Sequence, residues 1–155
     1  EDVPLLYDIS RDELVSKNFS KNIRIRLLDE KVRSFTVGLN TFVRIDADST
    51  NNSPLSTGYY ELLYKGSFSL LARHKKEILH SMDLETPTKF REYDYYYIRK
   101  EGKYYTIENE GDLLSVFKDR RAEMRKFLNR KDIRFKKNKE GSIVKAAAYY
   151  DQLKK

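Results

Sequence analysis

The chain has no cysteine and no tryptophan, and only two histidines and three prolines among its 155 residues. Without cysteine there is no disulfide framework, thiolate zinc site, iron–sulfur cluster or cysteine nucleophile. The two histidines, His74 and His80, lie six apart in a lysine-rich stretch. On a strand they share a face about 20 Å apart, and on a helix they point to opposed sides. Both therefore read as surface residues rather than as a triad or a metal pair. The six glycines form no P-loop and no Gly-x-Gly-x-x-Gly, and no Gly-x-Ser-x-Gly elbow occurs. No apolar run approaches the ~18–20 residues of a membrane-spanning helix.

Charge and aromatic residues are plentiful instead. The chain is 39% apolar and 35% charged, well away from the composition of a disordered segment. At this length roughly 70% of the unfolded surface is buried on folding, so a core forms without covalent staples. One domain over residues 1–155 is the economical organisation, with a β-rich body at 3–107 and a helical part at 110–154.

Val3–Ile9, Leu14-Val15, the alternating Ile23, Ile25 and Leu27, Lys31–Val37 with Phe35 and Val37 on one face, and Phe42–Ala47 read as strands. Asp48–Pro54 reads as a loop. Two hairpins stand out: Tyr59–Tyr64 with Phe68–Ala72 around Lys65-Gly66-Ser67, and Glu92–Arg99 with Tyr104–Ile107 around Glu101-Gly102. In each, a glycine is expected to supply a positive φ. Arg73–Leu84 fits either a longer strand or a short helix, ended by Pro87.

Leu113, Phe117, Met124, Phe127 and Leu128 draw one apolar helical stripe, entered through Asn109 and Asp112 as capping residues. Phe117 and Phe127 are both expected in the core. A second helix is expected from a Ser142 cap, with Ile143, Ala147, Tyr150 and Leu153 inward and Ile133 and Phe135 tucked beneath. The fold class is α+β: a curved antiparallel sheet or open β-roll of about seven or eight strands, followed by a C-terminal pair of helices packed on it.

Two features bear on binding. Between Lys118 and Lys139 eleven Lys/Arg face three carboxylates, a net +8. The whole chain is +7, so the remainder sums to −1 and the basicity is local. Arg120, Arg121, Arg125, Lys126, Arg130 and Lys131 are its candidate contacts. The patch suits nucleic-acid phosphates, anionic lipid head groups or an acidic protein, and equally a solvated helix face. The second feature is tyrosine: Tyr93, Tyr95 and Tyr97, answered by Tyr104, form a row able to stack bases or sugars, or simply to brace a half-wet sheet. His80, Asp83 and Glu85 have no defensible metal spacing. Asp12/Glu13 and Asp29/Glu30 are carboxylate pairs in turns, without the cleft that acid–base work needs. No cofactor is implied and no catalytic residue is assigned.

Three passages carry a resemblance. They are Gly58-Tyr59-Tyr60-Glu61-Leu62-Leu63-Tyr64-Lys65-Gly66 with Leu70-Leu71-Ala72-Arg73, then Gly102-Lys103-Tyr104-Tyr105, then Leu113–Arg120 with Tyr149-Tyr150. Together they make the chain similar to a group of small, uncharacterised exported proteins of Bacteroidetes-type bacteria. The resemblance implies a β-rich body, two C-terminal helices, and a signal peptide removed before Glu1. It implies no activity and no site residues. The expected function is that of a non-enzymatic exported or periplasmic binding or structural protein. The alternative is a nucleic-acid-binding module using the basic patch and exposed tyrosines, with a cytoplasmic location.

Overall fold

The computed structural model describes residues 4–18, 23–47, 53–79, 89–130 and 132–154. Strands β1 (Leu5–Asp8), β2 (Glu13–Asn18) and β3 (Ile23–Arg26) form one antiparallel sheet in that order. Strands β4 (Ser34–Val37), β5 (Asn40–Ile45), β6 (Gly58–Lys65), β7 (Ser69–Leu79), β8 (Lys89–Lys100) and β9 (Lys103–Thr106) form a second, also in chain order. The helices α1 (Glu110–Val116), α2 (Arg121–Leu128) and α3 (Lys139–Gln152) follow. The chain is α+β, with its C-terminal helices packed on sheet.

The strands divide into two sheets because the chain does not fold straight back after β3. A 3-10 turn at Asp29–Lys31 redirects it, held by Lys31 N to Leu28 O at 2.9 Å and Val32 N to Asp29 O at 3.2 Å. Strand β7 continues to Leu79, so Arg73 onward takes its extended form. Of the expected loop at Asp48–Pro54, residues 48–52 lie outside the described residues, as do His80, Asp83, Glu85 and Pro87.

Contacts gather into two compact units, one of Glu1–Asp46, Thr57–Glu61 and Arg73–Asp94, the other of Ala47–Ser56, Leu62–Ala72 and Tyr95–Lys155. In the first, register sets Tyr7 opposite Leu14 and Phe35 opposite Phe42. These four meet Tyr59 in an aromatic cluster whose rings lie 4.9–5.9 Å apart around Tyr7. Ile25 and Ile23 pair with Ser16 and Asn18, beyond this cluster. That register leaves both isoleucines about half exposed, so β3 keeps its alternation without a buried face.

In the second unit Phe68, Leu70, Ala72, Tyr96 and Ile98 receive the apolar sides of all three helices. Asn109 caps α1 with a reciprocal pair: its Oδ1 accepts from Gly111 N and Asp112 N, while Asp112 Oδ2 accepts from Asn109 N. The expected single stripe is split. Phe117 leaves the helical region at φ −100° and ψ 38°, and a 3-10 turn at Lys118–Arg120 starts a new helix. Its ring stacks 4.0 Å from Tyr150, which turns the backbone toward α3. Phe127, by contrast, is only half-buried, stacked on Tyr149 at 4.3 Å.

Two local expectations are corrected. Helix α3 starts before Ser142, and its cap is Asn138, whose side chain accepts from Gly141 N at 2.9 Å. Ser142 is buried inside the helix, with its hydroxyl donated to the Asn138 carbonyl. In the turns, Gly102 has a positive φ of 77° and Gly66 does not. What Gly66 provides is room, because a Cβ there would strike the Asp151 carboxylate. That carboxylate accepts from the Tyr64 hydroxyl at 2.6 Å and from Ser67 through its amide and hydroxyl, tying α3 to the β6–β7 turn.

Candidate functional site

The start of α2 is fixed from inside. Lys100 Nζ donates to the Val116 carbonyl, to Asp119 and to the Tyr150 hydroxyl, which itself donates to Asp119 at 2.8 Å. Burial works against both charges, but the Tyr150 hydroxyl and their mutual attraction outweigh it. Lys100 is raised and Asp119 lowered from their ordinary values. With Met124 and Leu128 buried on its inner side, α2 turns Arg121, Arg125 and Lys126 to solvent.

These three make no ion pair among the described residues. Their exposed neighbours Arg120 and Arg130 do, with Glu123 at 3.5 Å and Asp132 at 3.1 Å. Arg130 also lies 5.4 Å over the Phe127 ring. Five of the six basic candidates thus share one exposed stretch, and Lys131 lies outside the described residues.

The tyrosines do not join them. Tyr96 and Ile98 on β8 face the helices, so alternation turns Tyr95 and Tyr97 to the opposite face. Register puts Tyr104 beside Arg99 on that same far face, where the guanidinium covers its ring at 5.7 Å. Tyr95 is 40% exposed, whereas Tyr97 is buried. Tyr93 belongs to the first unit, is half-buried, and accepts from Arg91. Of the candidate tyrosines of the second unit, Tyr95, Tyr97 and Tyr104 therefore lie on the sheet face away from the helices.

The first unit holds polar clusters that sequence reasoning missed. Asp12, at φ 57°, closes the β1–β2 turn. Its carboxylate accepts from the Tyr7 hydroxyl at 2.6 Å, the Tyr59 amide at 3.3 Å and Arg73 Nη2 at 3.1 Å. Arg73 also donates to the Tyr60 hydroxyl and the Thr57 carbonyl, with its guanidinium 5.0 Å over the Tyr60 ring. Burial, then the bond to Asp12, holds the Tyr7 phenol neutral well above its ordinary range. Asp12 and Arg73 are 61 residues apart, and no local signal joins them.

His74 sits between two carboxylates, with Nδ1 2.7 Å from Asp94 and Nε2 3.0 Å from Glu61. The acids meet opposite ring nitrogens, so one metal ion cannot reach all three groups. Burial favours the neutral ring, but Asp94 and then Glu61 outweigh it and raise the His74 pKa above its ordinary value. The stabilisation is therefore complete below the unfolded-state pKa near 6.5 and is lost as pH rises through the higher folded-state value. His74→Gln should cost more stability at pH 6 than at pH 9 in urea unfolding. An equal cost at both would show that the fold does not raise the His74 pKa.

No family model, curated protein or solved structure matches the chain. Among the described residues no helix is long and apolar enough to cross a membrane.

Proposed function

We propose that the chain is a non-enzymatic, exported binding protein that docks an acidic protein surface through the solvent face of α2. The observation that carries this reading is the unpaired state of Arg121, Arg125 and Lys126 on one exposed face, beside cations that are paired. Three cations without an ion-pair partner among the described residues, on a helix whose start is held by the Lys100–Tyr150–Asp119 knot, favour a complementary negative surface. The exported location rests on the resemblance in the strand and helix passages. A non-catalytic role is supported by the missing nucleophile and phosphate motifs. It is also supported by the internal use of His74 and Asp119, each tied to neighbouring side chains.

The alternative, a nucleic-acid module, needs cations and stacking rings on one surface. The far-face position of Tyr95, Tyr97 and Tyr104 weighs against it. The triple variant R121Q/R125Q/K126Q should melt as the parent does and bind an acidic polypeptide about tenfold more weakly at low salt. Unchanged binding would remove α2 from the interaction.

A further inference from the structure

A second charged feature lies in the first unit and is independent of α2. The β1–β2 turn (Ile9–Asp12) and the outer half of β7 (Arg73–Glu77) enclose a pocket of about 320 Å³. We propose that this pocket binds a small oxyanion carrying two or more negative charges, such as a phosphate compound or a polycarboxylate.

Charge is the first argument. The lining includes Arg11, Arg73, His74, Lys75 and Lys76, opposed by Asp12 and Glu77. Asp12 is already answered within the wall by the Tyr7 hydroxyl, the Tyr59 amide and Arg73. Asp12 and Arg73 therefore offset each other and His74 lies between Asp94 and Glu61, so the positive excess of the lining comes from Arg11 and the two lysines against Glu77. Arg11 is exposed at the mouth and makes no ion pair among the described residues. Lys76 has one acidic partner, Glu92 at 2.6 Å, at a site 43% exposed, where a competing oxyanion meets a water-screened pair.

Geometry is the second. The pocket is lined by consecutive β7 residues from 73 to 77 on one side and by the β1–β2 turn, residues 9 to 12, on the other. Both walls are stiff where they meet: Asp12 in the turn holds a left-handed backbone, and Arg73 on β7 is fixed by Tyr60, Thr57 and Asp12 together. Donors set in place before binding lose little freedom on closing around an anion. The volume is at the small end for ligand pockets and suits a diphosphate or tricarboxylate rather than a larger body.

The test is calorimetric titration of the full chain at low salt with pyrophosphate and with citrate, using acetate as the monovalent reference. One saturable site is expected for at least one polyanion, about tenfold or more tighter than acetate. Arg11→Gln should weaken it about tenfold while leaving the melting temperature unchanged. Preference for pyrophosphate assigns the pocket to phosphate compounds, preference for citrate to polycarboxylates, and equal binding to charge number alone. The triple α2 variant should leave this titration untouched, which separates the pocket from the docking face. Absence of a saturable site, or its loss in the α2 variant instead of in Arg11→Gln, would overturn the proposal.

Discussion

Phe117→Ala is expected to lower folding stability by about 3–5 kcal/mol, the usual cost of emptying an aromatic site in a close-packed core. Phe117 has no exposed surface; it stacks on Tyr150 and meets Phe68 edge-on at 5.1 Å. The cost goes beyond lost area, because the Phe117 ring braces Tyr150, whose hydroxyl holds Lys100 and Asp119. Removing it loosens the polar knot that sets the start of α2. Phe127→Ala should cost roughly 1–2 kcal/mol, since that ring is half-buried and stacked near the surface. Equal losses for the two variants in urea unfolding would contradict the split of the helical stripe at Phe117.

Gly58→Ala is expected to cost about 2–4 kcal/mol. Gly58 has φ 150°, which strains any side chain, and a Cβ there would collide with the Asp12 carboxylate and the Arg73 guanidinium. Both are held on other sides, by Tyr7 and the Tyr59 amide on one and by Tyr60 on the other, so neither can retreat alone. Gly102→Ala is the matched control. Its φ of 77° is also positive, though closer to the left-handed region open to other residues, and nothing lies within 4 Å of the added methyl. It should cost only about 1 kcal/mol. If both variants lose the same amount, the collision argument is wrong and the cost is backbone strain alone.

What could be read in advance was local in origin. The β8–β9 hairpin was visible because Glu101-Gly102 supplies its turn within two residues. The cap on α1 was visible because Asn109 and Asp112 lie three apart. The α2 face followed from counting charge along one helix. Ser142 was a plausible cap by type, yet Asn138 opens the helix one turn earlier, and both residues satisfy the same composition rule. Gly66 looked like a turn glycine, whereas its constraint comes from Asp151, 84 residues beyond the neighbouring Ser67. The Asp12–Arg73 and Glu61–His74–Asp94 clusters were invisible for the same reason. Their members come from separate elements, and single-sequence periodicity reports which face a residue takes, not which partner meets it.

The proposed docking of negative charge on α2, without base stacking, has a direct readout in solution. Its direct test is a fluorescence titration with poly-glutamate, single-stranded and duplex oligonucleotides at about 50 and 200 mM salt. A contact made through several ionic pairs loses on the order of 10³-fold or more across that range when six or more phosphates are engaged, and less for fewer. The predicted result is salt-sensitive binding of poly-glutamate that the triple variant weakens about tenfold, with single-stranded DNA bound no more tightly than duplex. Single-stranded DNA bound far more tightly than either other polymer, or no binding of poly-glutamate even at low salt, would contradict it.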